Sequence, residues 1–361
     1  MLDGATFTSE IGTVDTSVDC PVVYLDQNHW IDMARVLTGS SAVAGARKEA
    51  LEGFIDLARS KRILLPLSAA HLVETAKKGG RQRTDLARTM VELSRGWQMR
   101  SPLYVRAKEL DQIFSGVAGA KGAGQPACSD VFTLTPEALW ADQRHPRPRR
   151  RQSDDLPAEM AGLVNRISWA ASMVDTLLDT DPEVSARGLE LATGWASSFQ
   201  ELARHMRSNP SAKPYLRDLT RSRTVTDMGN DLPESALRAG LTPERFGEWL
   251  RQDAEAALSS TPALGRVREV LHLRLANADD RWEANDLNDV LYLCTAAGYA
   301  DFVLGEKKTC SYLRRVQGRV PAGAQVYHRA MDALPEVAAS LRADARTDDG
   351  AGNAEISDGS S

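Results

Sequence analysis

Val22-Val23-Tyr24-Leu25-Asp26-Gln27-Asn28-His29-Trp30 is the stretch on which the reading of this chain turns. Its first four residues are apolar and β-favouring, and they run straight into a carboxylate. That pattern reads as a buried strand ending at Asp26. In an open α/β sheet, ligands bind beyond the carboxyl ends of the strands, so an acid at this point faces the crevice. Taken alone, Asp26 is better explained as a turn or helix-capping residue.

Working outward, Trp30 to Leu37 suits a short helix, and Ala46 to Ser60 a longer one with Leu51, Phe54 and Ile55 on its apolar face. Ile63-Leu64-Leu65-Pro66-Leu67 reads as a second buried strand. Ser68 is placed to cap a helix over Ala69 to Lys78, which Gly79-Gly80 stops. Strand, helix, strand, helix is the opening of an α/β layer.

The pattern then changes. Residues 82–114 read as helical, with a break near Ser101-Pro102. Residues 115–155 are rich in Gly, Pro and Arg, include the basic run Arg147 to Arg151, and are expected to form a long exposed loop. Helical periodicity recurs at 157–180, 183–207, 233–258 and 262–279. The α/β signal returns with a helix over Ala284 to Gly298, a strand at Asp301-Phe302-Val303-Leu304, a helix over Thr309 to Arg315 and a last strand at Ala324 to Tyr327. Residues 343–361 have almost nothing to bury and read as a disordered tail. The expected divisions are 20–80 and 280–342 as two parts of one core, with 81–279 as a helical insertion.

Composition narrows the function. The chain has 361 residues, 42% hydrophobic and 26% charged, with a formal net charge of -5. It is not a polycation, so any nucleic-acid contact needs a local basic patch. Cys20, Cys128, Cys294 and Cys310 are scattered, without a C-x-x-C pair or a histidine at zinc spacing. This argues against a disulfide scaffold or zinc site and fits a cytoplasmic location. No apolar run is long enough to span a membrane, and Met1 to Asp19 lacks the form of a signal peptide.

Five acids form the candidate constellation. Glu306 follows a strand end as Asp26 does. Asp286 and Asp289 are three apart in Asn285-Asp286-Leu287-Asn288-Asp289-Val290, hence on one helix face, where like charges repel. Glu74 lies on the helix after the second apolar run. Each has an ordinary explanation as a cap, a first-turn acid or a surface pair. As a set, they can meet at one sheet edge, where a divalent cation would turn repulsion into attraction. Oxygen ligands without His or Cys select Mg²⁺ or Mn²⁺.

These segments resemble the PIN-domain family of nucleases. Asp26 and Asn28 match the family's opening strand with an Asp and an Asn two residues later. Glu74 matches its helix-borne Glu. Asp289, the small-residue run to Gly298, the strand at 301–304 and Glu306 match its later acids in order and length, with Asp286 as an extra acid. Glu306 departs from the usual Thr-x-Asp arrangement. The resemblance covers roughly 20–80 and 280–330. It implies an α/β/α core with a central, mainly parallel sheet, interrupted by a large all-helical insertion. It also implies catalytic and metal-binding roles for Asp26, Glu74, Asp286, Asp289 and Glu306 in hydrolysing RNA.

Asn28, Lys77, Lys78, Lys307 and Lys308 are the candidates for gripping substrate, with Arg81, Arg83, Arg314 and Arg315 close in sequence. The alternative is a degenerate PIN-like module that binds RNA or protein without catalysis, and a third reading is a phosphohydrolase of small nucleotides. A protein partner or self-association through the insertion is also expected.

Overall fold

The computed structural model describes residues 18–119, 126–134, 160, 182–277 and 279–352. The expectations for the first residues, the Arg147 to Arg151 run and the helix at 157–180 fall outside them, apart from residues 18–20 and Met160.

The chain opens with β1 (Val23–Leu25), α1 (Gln27–Leu37), α2 (Gly45–Arg59), α3 (Ala69–Ala76) and α4 (Gly80–Ser94). Next come β2 (Gln98–Met99), α5 (Pro102–Val117), the short α6 (Cys128–Val131) and β3 (Phe132–Thr133). A run of helices follows: α7 (Pro182–Ser208), α8 (Leu216–Asp227), α9 (Asp231–Arg238), α10 (Pro243–Gln252), α11 (Ala254–Ser259) and α12 (Pro262–Ala276). The chain closes with α13 (Asn285–Tyr299), β4 (Phe302–Leu304), α14 (Lys307–Val316), β5 (Gln325–Tyr327) and α15 (Ala330–Gly352). Among the described residues, no helix is long and apolar enough to cross a membrane.

The expected α/β/α core with a central sheet is not what forms. The described chain is mostly helical. Its parallel sheet has three strands of three residues each, in the order β1-β4-β5. The apolar run Ile63 to Leu67 adds no fourth strand. It makes isolated bridges, Val22 with Leu64 and Leu67 with Gln98. Pro66 has no N–H to donate and interrupts the run. The segment 81–279 is not all-helical either. Gln98-Met99 and Phe132-Thr133 pair antiparallel, the second within the stretch expected to be loop. Two residues per strand are too few to register as alternation in a sequence.

The small sheet is buried on both faces. Val23, Leu25, Phe302 and Leu304 pack into one core with residues of α1, α2, α4 and α15. Val22, Tyr24, Val303 and Val326 face a second core with α12, α13 and α14, because side chains alternate along a strand. A third cluster contains no strand residue and is built around Phe114 and Trp249, with side chains from α5, α9, α10, α11 and α12.

Several element ends differ from expectation for local reasons. Gly79 precedes α4 and Gly80 begins it, so the pair separates two helices. Gly298 does not stop α13, which runs on to Tyr299. A Cβ at Gly298 would stand 2.9 Å from the carbonyl carbon of Pro262, so its bareness lets α13 lie against the start of α12. The helix at 216–227 has little apolar periodicity and was not expected. At the C-terminus, α15 extends to Gly352, into the stretch read as disordered, while 353–361 fall outside the described residues.

Candidate functional site

The three strands end level. Leu25, Leu304 and Tyr327 are in register, and the backbone N–H of Asp26 continues the ladder to Leu304 O at 2.8 Å. Asp26 therefore emerges at the carboxyl edge of the sheet, where it caps α1. Its Oδ1 accepts from the Gln27 N–H at 2.8 Å. The Asn28 side chain, itself exposed, also favours the charged form of this carboxyl.

Glu74 is delivered by α3. The Ser68 N–H donates to His71 Nδ1 at 3.0 Å, and His71 Nε2 donates to Leu25 O at 2.7 Å. The imidazole is buried, and burial lowers its pKa to about 4, so it is a neutral clamp. Asp289 comes from the second turn of α13. Asp26, Glu74 and Asp289 line one pocket together with Gln27, Asn288 and Tyr292. Glu306, beyond β4, accepts from Thr309 Oγ1 at 2.7 Å and lies near enough to act on both aspartates.

The electrostatics show how crowded these acids are. Burial is the largest cause raising Asp26 to about 6, with the charges of Glu74 and Glu306 adding to it. The Gln27 N–H and Asn28 pull it back. Asp289 is pushed up to about 8, first by burial and then by Asp26, Glu306, Glu74 and Asp286. Glu74 is raised by burial, with Lys77 and Lys78 opposing. Among the described residues, neither Asp26 nor Asp289 has an ion-pair partner. Among the described residues, no three His, Cys, Asp or Glu side chains are arranged to hold a metal ion.

Asp286 does not join them. Its Oδ2 pairs with Arg274 Nη2 at 2.9 Å and accepts from the Glu283 N–H at 2.5 Å. Arg274 is buried, bonds Asp280 through Nε at 3.0 Å and lies 4.2 Å over the Trp282 ring. Lys308 belongs to the same network, 2.6 Å from Asp280 and 3.8 Å from Asp286. Asp286 and Lys308 are thus committed to fixing the start of α13.

Lys77 bonds Asn285 Oδ1 at 3.5 Å, while Lys78 and Lys307 are exposed. Asp301 accepts from the Val22 N–H at 2.8 Å, a structural role. Trp30 and Trp282 are buried, as core residues would be.

Sequence reasoning passed over Gln27, Tyr292 and Arg274. Gln27 stood beside Asp26 in the opening stretch. Its Nε2 donates to Thr75 Oγ1 at 3.0 Å, and its buried Oε1 has no hydrogen-bond partner. Tyr292 is three residues from Asp289, and that spacing could have found it. Arg274 carried no local signal at all.

Comparison with known proteins adds no relative: no family model, curated protein or solved structure matches the chain.

Proposed function

We propose that the chain is a Mg²⁺- or Mn²⁺-dependent nuclease that hydrolyses RNA phosphodiester bonds at the Asp26, Glu74 and Asp289 pocket. The observation that carries this reading is the meeting of Asp26 and Asp289, from opposite ends of the chain, in one pocket without a cationic partner. Ordinary structural acids look different here. Asp286, three residues away, has its arginine. Keeping unpaired carboxylates together costs free energy that a divalent ion would offset. The motif order shared with PIN-domain nucleases adds support, although it does not extend to the α/β/α core.

The donor set suits such an ion. Asp26, Glu74 and Asp289 offer hard oxygens, Glu306 is near enough to act on both aspartates, and the orphaned Gln27 Oε1 is a further acceptor beside the pocket. When bound, Mg²⁺ or Mn²⁺ supplies an activated water and neutralises charge on the phosphate. The chain's own residues do the positioning. The Gln27 N–H holds the Asp26 carboxyl, Asn28 favours its charged form, Thr309 orients Glu306, and His71 fixes α3. Lys77 and Lys78, whose charges act on Glu74, and Lys307, next to Glu306 in the chain, would supply positive charge for backbone phosphates. A cytoplasmic setting belongs to this reading, and all four cysteines are free.

A second reading, a module that binds RNA or a protein partner without catalysis, draws on the loss of Asp286 to Arg274, which leaves one fewer acid for metal. One experiment separates the two. Purified protein is incubated with labelled RNA and Mn²⁺, beside Asp26→Asn and Asp289→Asn. The nuclease reading expects cleavage by the parent and loss in both variants, with circular dichroism unchanged. Normal cleavage by either variant would sink it. Calorimetry showing no carboxylate-dependent Mn²⁺ binding would favour the binding module.

A further inference from the structure

Beyond Glu306, the same sheet edge turns from acidic to basic. Because Leu25, Leu304 and Tyr327 are level, the chain leaves the sheet at Asp26, Gly305 and His328 side by side. Two strand spacings of about 4.8 Å put the backbones of Asp26 and His328 roughly 10 Å apart.

Arg314, on α14, reaches this corner. Its Nε donates to Val326 O at 3.0 Å and its Nη2 to His328 Nδ1 at 3.3 Å. A guanidinium keeps its protons, so Nδ1 must accept and the imidazole hydrogen sits on Nε2. Burial lowers the pKa of this ring, and the charges of Arg314, Arg329 and Lys307 lower it further. Asp332 acts in the opposite sense, but it is committed to Arg329 at 2.7 and 3.1 Å. Among the described residues, Lys307 and Arg314 have no carboxylate partner. The corner therefore holds two cations outside any direct ion pair and an imidazole N–H, one strand away from Glu306.

We propose that Lys307, Arg314 and His328 form a phosphate subsite, which holds a backbone phosphate of the RNA strand next to the one in the carboxylate pocket. This deepens the nuclease reading and rests on it. The chemistry is that of a phosphate clamp, with two charges to neutralise the anion and fixed N–H donors to orient it. The subsite lies on the β5 side of the acids and Glu74 on the β1 side, so the strand would be gripped asymmetrically.

The test is binding of a fluorescein-labelled single-stranded RNA oligonucleotide, measured by anisotropy across a salt series with EDTA present to prevent cleavage. Each phosphate contact contributes about 0.7 to the slope of log K against log salt. Lys307→Ala and Arg314→Gln should each flatten the slope by about that amount, and His328→Gln should weaken binding several-fold. Lys307 is exposed and unpaired, so its variant stays informative even if Arg314→Gln loosens β5. Unchanged slope and affinity in Lys307→Ala and His328→Gln would overturn the subsite, as would failure of the parent to bind RNA at low salt. Titration of the His328 ring resonance with inorganic phosphate supplies a second arm. A shift with phosphate but none with RNA would mean a site for free phosphate and would overturn the strand assignment.

Cleavage with Mn²⁺ is scored separately. RNA bound through these residues but left uncut would fell the nuclease reading and leave the subsite standing. RNA cut with the same KM by all three variants would do the reverse.

Discussion

His71 Nε2 donates to the carbonyl oxygen of Leu25 at 2.7 Å, tying the helix that carries Glu74 to the strand residue just before Asp26. The same ring accepts from the Ser68 N–H, and Ser68 Oγ is in turn 2.9 Å from the Tyr24 hydroxyl. Two proposed ligands thus sit on elements joined by one buried imidazole.

Replacing that ring should disturb both stability and chemistry. His71→Phe keeps the bulk but leaves the Leu25 carbonyl and the Ser68 N–H without their partner, at about 1–3 kcal/mol for each buried group. Urea denaturation should show the loss. RNA cleavage should fall at least tenfold even where the variant remains folded, because Glu74 is no longer held against Asp26. Full activity in a folded His71→Phe protein would refute this linkage.

Acid crowding predicts an unusual pH dependence. His29 and His71, both lowered to about 4 by burial, lose stability as pH falls below 6.5, because the unfolded chain takes up protons they refuse. Asp26, raised to about 6, acts in the opposite sense over the same range. Between pH 6.5 and 8 the main remaining contribution is that of Asp289, raised to about 8. Native Asp289 keeps a proton that the unfolded chain has already lost, so stability should fall as pH rises, by about 1–2 kcal/mol. Denaturation in EDTA at both pH values tests this. Asp289→Asn should flatten the trend, and Mn²⁺ should reverse it in the parent only. A parent protein equally stable at both values would count against the crowded pocket.

The Arg274 network makes a separate prediction. Arg274→Met removes the 2.9 Å partner of Asp286 and one partner of Asp280, leaving negative charge buried. The expected cost is about 3–5 kcal/mol. Adding Asp280→Asn and Asp286→Asn to that variant should recover much of it, since the stranded charges are gone. If the triple variant is no more stable than Arg274→Met, charge burial is not the cause.

Gly298 tests the packing of α12 on α13. Gly298→Ala places a methyl 2.9 Å from the Pro262 carbonyl carbon and 3.0 Å from its oxygen, both backbone atoms with little room to yield. Overpacking of this kind costs about 1–3 kcal/mol, although alanine is the better helix former. Thermal denaturation should show a lower midpoint. A higher one would mean that the helices can separate freely.

The amino-acid order alone determined the local pieces. An apolar run met a carboxylate at Leu25-Asp26, and a second strand ended just before Gly305-Glu306. Most helices lay near their expected places because the period of apolar residues is a property of the segment itself. Pairing between distant segments was decided elsewhere. Ile63 to Leu67 has the composition of a strand, yet Pro66 and its neighbours leave it with isolated bridges, and the sheet stays at three strands among the described residues. Asp286 and Asp289 look alike in the sequence, three apart on one helix. Only packing brings Arg274 of α12 against the first and leaves the second facing Asp26 and Glu74. Sequence periodicity says which side of an element is buried; the charge that waits on the other side is set by whichever distant element packs there.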